Sequence, residues 1–274
     1  MSQADAESLF RRACELSADP SNLDEAAGLW PEVIDAYREL GVREPGPSSG
    51  RGLARALWRH SLLLLATQRV PEAVAAGEEA VEVFDRVLDQ TLLLRFEECV
   101  SPAMDQAVAD AVRARTDLAQ ALTAAGRLEE RTAVLSQAVA KAVLSGGPLT
   151  RRALGTAHHD LSVAELNDFM CAAEGGRGDA DPRSAALSAS RATEIRRELA
   201  DTTDPATLWE LAGTYTHYAK CLLVLGDGER AVAVVRLARS LVAFDPPLFR
   251  EIRPRLDQLM RVLRERFPSP DDDL

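Results

Sequence analysis

Apolar residues recur at three- and four-residue spacing almost throughout this chain, and no other feature constrains the fold as tightly. That spacing lines one face of an α-helix, with its repeat of about 3.6 residues, whereas a half-buried strand needs strict alternation. Convincing period-two segments are absent from the sequence. Aromatics are only 5%, and Ala and Leu lead the apolar set, which favours close-packed helices over sheets. The sequence therefore predicts an all-α protein, and 274 residues with 46% hydrophobic content are enough to bury a large core.

Breakers divide the helical pattern. The clearest is Gly41 to Gly52 (GVREPGPSSGRG), read as a flexible loop, followed by the loop at 174–182 (EGGRGDADP). Shorter breaks fall at Ser145 to Pro148, Asp201 to Pro205, Gly226 to Gly228 and Asp245 to Pro247. Ser101-Pro102 has the form of an N-cap followed by proline at the first helical position. Pro247 to Phe267 fits a terminal helix with an apolar stripe of Leu256, Leu259, Met260 and Leu263, and Pro254 marks a kink or a late start. The acidic residues 268–274 are expected to be disordered.

Several helix pairs share one arrangement of small residues. In the stretch Ala212 to Ala243, Tyr215, Tyr218, Ala219 and Leu222 occupy a first helix, Gly226 the turn, and Ala231 and Ala238 a second helix. The stretch from Ala54 offers Leu57, Ser61, Leu64, Ala73 and Ala80 in the same places. The stretch from Val112 offers Leu118, Ala119, Leu122, Gly126, Leu135 and Ala138, with Arg131 where a small residue is expected. Weaker copies run Phe10 to Val33 and Leu154 to Ala192. This pattern resembles the tetratricopeptide repeat (TPR), a helical hairpin whose helices approach at small residues. The equivalent positions Ala26, Ala73, Arg131, Ala185 and Ala231 are 47, 58, 54 and 46 residues apart. TPR units repeat about every 34 residues, so the array is irregular and its helices are long. The resemblance implies a single TPR-like superhelical domain over 1–267, with about five antiparallel hairpins and a C-terminal capping helix.

Charge and composition narrow the partners. A formal net charge of −11 disfavours nucleic acid and anionic membranes. Lys occurs only at Lys141 and Lys220, so nearly all cations are Arg, as in a bacterial genome of actinobacterial-type composition. Cys14, Cys99, Cys171 and Cys221 show no CxxC spacing and read as small buried thiols. There is no signal-peptide pattern, and the longest apolar run, Leu62 to Ala66, cannot span a bilayer, so a cytoplasmic protein is expected.

Catalytic constellations are weak. Gly175, Gly176 and Gly178 precede no lysine and follow a helix, unlike a phosphate-binding loop. His159-Asp160 resembles the dyad of HD-type phosphohydrolases, but the upstream His60 is too distant for that motif. No metal or other cofactor is expected. An enzyme or small-ligand sensor with a site inside the superhelix around His158, His159, Asp160 and His217 is the alternative, and a purely structural homo-oligomer is a third class.

In TPR proteins the first helix of each hairpin lines a concave groove. Carried across, those positions give Arg11, Arg55, Trp58, Arg59, Leu62, Arg113, Gln120, His159, His217 and Lys220 as ligand-binding residues. With Arg12 and Arg152 the face holds seven fixed cations against Glu15 and Asp117. The resemblance thus implies a non-enzymatic adaptor or regulatory module whose basic groove takes another protein or an acidic peptide, with Trp58 and Leu62 as an apolar anchor. The two-carboxylate clamp of TPR co-chaperones is not matched, because Glu15 and Asp117 would repel a carboxylate at two of its positions.

Overall fold

The structure is a computed structural model that describes residues 2–94, 101–175, 181–201, 203–244 and 249–267. The described residues form eleven α-helices and no strand: α1 (Gln3–Ser17), α2 (Leu23–Arg43), α3 (Pro47–Ala66), α4 (Val70–Leu94), α5 (Pro102–Ala124), α6 (Leu128–Lys141), α7 (Pro148–Glu174), α8 (Pro182–Leu199), α9 (Pro205–Val224), α10 (Gly228–Phe244) and α11 (Ile252–Arg266). The chain divides into two compact units, Met1–Ala153 and Leu154–Leu274. The first contains the pairs α1/α2, α3/α4 and α5/α6. The second contains residues 154–174 of α7, which meet α8 at Ser162, and the packed helices α8, α9 and α10, with α11 on α10 and α9. No described helix is long and apolar enough to cross a membrane.

The pairs close where small side chains meet. Ala26, Ala73, Ala185 and Ala231 are fully buried at the start of their second helices. In two pairs a serine on the first helix donates across the gap, Ser61 Oγ to the Ala73 carbonyl at 2.7 Å and Ser162 Oγ to the Ala185 carbonyl at 2.6 Å. A larger residue there would separate the helices or force its own rotamer. Arg131, the exception to the small-residue pattern, is nonetheless buried.

Three of the turns are the same device. Gln68, Gly126 and Gly226 adopt left-handed backbone, with φ of 60°, 72° and 78°. The next amide then reaches back to close the helix: Arg69 to Leu64 at 2.8 Å, Arg127 to Leu122 and Asp227 to Leu222 at 2.9 Å. This satisfies carbonyls that the helix end would leave open. Only Gln68 carries a Cβ in that conformation.

The loop expected at 41–52 is corrected. Helix α2 continues to Arg43 and α3 begins at Pro47, so only residues 44–46 connect them. Two of the four glycines in 41–52, Gly50 and Gly52, are packing residues on α3. A Cβ at Gly52 would lie 2.2 Å from the Tyr37 ring, and one at Gly50 would lie 2.7 Å from Val87. Other breaks stand as read: Ser101 Oγ accepts from the Met104 amide at 3.2 Å, and α8 and α9 each begin with proline after an Asp cap. Residues 176–180 of the second loop, the break at 245–247 and the acidic tail 268–274 lie outside the described residues.

Within the first unit the start of α7 is held by a carboxylate. Asp105 accepts from the amides of Leu149 and Thr150, both at 3.0 Å, and from Ser145 Oγ at 3.1 Å. Burial pushes this carboxyl up, but the bonds from Thr150, Leu149 and Ser145 outweigh it and hold the group below its ordinary value. Gly147 is required beside it, because a Cβ there would fall 2.2 Å from the carboxyl carbon. In the second unit the expected stripe of α11 is buried, and Pro254 falls in its first turn, as a late helix start.

Two stability predictions follow from these contacts. Gln68→Gly should stabilise the first unit by about 0.5–1 kcal/mol, while Gly126→Ala should destabilise it by about 1–2 kcal/mol. Gly52→Ala tests the corrected loop: an unobstructed helical site would gain up to about 1 kcal/mol, whereas the Tyr37 ring predicts a loss of about 1–3 kcal/mol. Urea-unfolding midpoints decide both cases.

Candidate functional site

In the first unit, α1 and α3 lie side by side with α2 behind them. Two cavities open along this seam. One, of about 270 Å³, is lined by Gln3, Glu7 and Arg11 of α1, Tyr37 and Leu40 of α2, and Ser48, Arg51, Gly52 and Arg55 of α3. The other, of about 350 Å³, is lined by Cys14, Ser17, Ala18, Leu23, Trp30, Arg59, Leu62, Leu63 and Ala66. The first uses the N-terminal halves of α1 and α3 and the C-terminal end of α2, and the second uses the opposite ends. The two first helices therefore run in the same sense. Phe10 sits between them, edge-on to Trp30 at 5.5 Å and to Tyr37 at 6.4 Å.

The cations of this seam are uncommitted. Among the described residues Arg11, Arg55 and Arg59 make no hydrogen bond or ion pair. Arg55 lies over the Phe10 ring at 5.3 Å and Arg59 over the Trp58 ring at 5.2 Å, contacts that orient a guanidinium while leaving its N–H groups open. Arg12 is different, pairing with Glu25 at 3.3 Å. Arg51 donates to the Ala103 carbonyl at 3.0 Å.

At the next seam, between α3 and α5, Trp58 is only 8% exposed and donates from Nε1 to Asp117 Oδ2 at 2.7 Å. Burial raises the Asp117 carboxyl, against the lowering effect of Trp58, Arg59 and Arg113. Trp58 is thus largely a wall residue, packed edge-on to Phe84 at 6.2 Å, which leaves little of its ring for the apolar anchor expected at this position.

In the second unit a polar cluster bridges α7 and α9. The His159 and His217 rings meet edge to face at 5.4 Å. His217 Nε2 is 2.9 Å from Ser162 Oγ and 3.5 Å from Cys221 Sγ. The Ser162 proton is already given to the Ala185 carbonyl, so the serine accepts from Nε2–H. A serine nucleophile would have to donate its proton to the histidine, the reverse of this polarity. Burial pushes the Cys221 thiol up to about 11, leaving it protonated and poorly nucleophilic. Among the described residues no group of three or more His, Cys, Asp or Glu is placed to hold a metal ion.

Solved structures supply the comparison. The chain is similar to the kinesin light chain nearly identical TPR-like repeats of Podosopora anserina, at 16% identity over 90% of this chain and 99% of that chain, with a TM-score of 0.53. A second structure of those repeats matches at 17% identity over 86% and 94%, with a TM-score of 0.50. BtubC from P. vanneervenii matches at 16% identity over 87% of each chain, with a TM-score of 0.56. The fold is TPR-like. Likeness at these identities concerns the fold alone. No protein-family model matches the chain, and no curated protein matches it.

Against the TPR-like frame, the expected binding residues separate into groups. Arg11 and Arg55 share the polar cavity, and Arg59 and Leu62 line the apolar one. Gln120 is exposed on α5, while Arg113 is half-buried near Asp110 at 3.8 Å. His159 and His217 touch each other, and Lys220 is exposed one turn from His217. Arg51, Tyr37, Gln3 and Ser48 were not foreseen. Arg51 stands four residues before Arg55, a spacing that puts both on one helix face, but that signal vanishes once 41–52 is read as a loop. Among the cysteines, Cys221 is buried, Cys14 half-buried and Cys171 exposed against expectation, while Cys99 lies outside the described residues.

The buried histidines predict a pH response. Burial pushes His158 and His217 down to about 4 and His159 down to about 3, with Arg191, Lys220 and Arg196 respectively adding to the effect. The unfolded chain binds these protons near pH 6.5 and the folded unit does not, so stability is complete above that pH and falls as the pH drops toward 4. Each histidine can contribute up to about 1.4 kcal/mol per pH unit in that window. Melting of wild type against His217→Gln between pH 7 and pH 5 should show a shallower decline in the variant, and identical slopes would refute the assignment.

Proposed function

We propose that this chain is a non-enzymatic binding module that recognises an acidic segment of another protein through the first-helix face of α1, α3 and α5. The observation that carries this reading is the set of uncommitted guanidinium groups, Arg11, Arg55 and Arg59, in a chain with a net charge of −11. Other arginines, such as Arg86 and Arg236, also lack an ion pair among the described residues, but these three stand together along one seam against aromatic rings and cavities. Charge-assisted bonds from Arg to carboxylate or phosphate are about twice as strong as neutral ones, so this face favours an anionic partner. Leu62 and the apolar cavity add a surface for a nonpolar side chain of the same segment. In the second unit, Lys220 with His159 and His217 forms the corresponding first-helix surface.

Affinity capture with mass spectrometry tests the reading, comparing wild type with Arg55→Ala/Arg59→Ala. The variant should keep its melting temperature and lose a partner whose synthetic acidic segment competes with capture by wild type. Partner sets that are unchanged between the two proteins would refute the reading and move attention to the second helices.

A further inference from the structure

The polar cavity at the N-terminal end of the α1–α3 seam presents a hydroxyl with no protein partner among the described residues. Tyr37 is only 6% exposed, lines this cavity, and its hydroxyl makes no hydrogen bond among the described residues. The hydroxyl opens into the cavity and is therefore available to donate to a group held there. Its ring is held in place by Gly52, where any Cβ would collide with it at 2.2 Å. Around the same space stand Arg11, Arg51 and Arg55, with Ser48 as a further donor. The one acid in the lining, Glu7, already accepts from Gln3 Nε2 at 2.9 Å. Helix α3 starts here without a side-chain cap, so its positive end adds to the same field.

From this geometry we propose that the cavity is a phosphoryl-binding site. Three guanidinium groups against one carboxylate leave two positive charges, the complement of a phosphate monoester dianion. A carboxylate would neutralise only one of them and has two oxygens for this many donors. Three phosphoryl oxygens can accept from Arg11, Arg55 and the Tyr37 hydroxyl together. Arg51, tied to the Ala103 carbonyl, supplies charge from a fixed position. The volume of about 270 Å³ admits the phosphoryl group and part of what carries it. This inference rests on the reading of the α1–α3 face as a ligand-binding face and specifies its chemistry.

Calorimetry and melting with inorganic phosphate, at ionic strength held constant with chloride, test it on the full chain. Phosphate should bind and raise the melting temperature where chloride does not. Arg55→Gln should weaken phosphate binding about tenfold or more. Tyr37→Phe keeps the ring against Gly52 and removes only the hydroxyl, so it should fold normally and lose about three- to tenfold in affinity. A phosphoserine peptide that binds more tightly than phosphate or glycerol phosphate would make the source a modified protein. Tighter binding of glycerol phosphate would make it a small phosphorylated molecule. Phosphate binding that neither variant weakens would overturn the assignment. If phosphate acts like chloride while a glutamate-rich peptide binds through Arg55 and Arg59, the phosphoryl site is wrong and the acidic-partner reading stands. If no anionic probe binds, both fall.

Discussion

Each hairpin depends on two helices approaching where neither carries a large side chain. Ser61 against the Ala73 backbone and Ser162 against the Ala185 backbone make that contact visible, because a side-chain oxygen within 2.7 Å of a main-chain carbonyl leaves no room for another heavy atom between them. Ala219 and Ala231 are fully buried in one core in the corresponding positions of α9 and α10. Once that face of the first helix is fixed against the second, the phase of every other face follows from the helical repeat. The large apolar residues then fill the core, and the remaining first-helix positions are left for solvent or ligand. Arg11, Arg55 and Arg59 stand where they do for this reason.

The hairpins were legible because their signals are local. Small residues at fixed intervals and a glycine at the left-handed turn act within a few residues of themselves, so Ala219, Gly226 and Ala231 can be read directly from the sequence. The turn at Gln68 shows the limit of the glycine signal, since the same geometry is met there by a residue with a Cβ. Glycine also misled. In GVREPGPSSGRG it suggested chain flexibility, whereas Gly50 and Gly52 lie inside α3 and give way to Val87 and Tyr37, partners that the sequence does not reveal.

Half of the candidate site was legible for the same reason. Arg11, Arg55 and Arg59 follow from the TPR resemblance, which assigns first-helix positions by helix phase. Trp58 was placed on the correct helix, but its bond to Asp117 was not legible, because the two are 59 residues apart and only tertiary packing brings them together. Tyr37 could not be anticipated at all: it belongs to a second helix, and its exposure to the cavity depends on the missing side chain at Gly52. His159 and His217 likewise are separated in sequence and meet only after α7 and α9 pack, where burial keeps them neutral.

The electrostatic account joins these parts. Some arginines of this chain pair with acids, as Arg12 does with Glu25 and the buried Arg115 does with Asp85 at 2.6 Å. What sets the α1–α3 seam apart is that its guanidinium groups stand together, along ring faces and cavities. The most direct test is NMR of the arginine Nε–Hε resonances during a phosphate titration at constant ionic strength. The account predicts that Arg11, Arg51 and Arg55 shift together along one saturating curve while the paired Arg12 stays unmoved. Shifts of the same size at Arg12, or none at the seam, would contradict it.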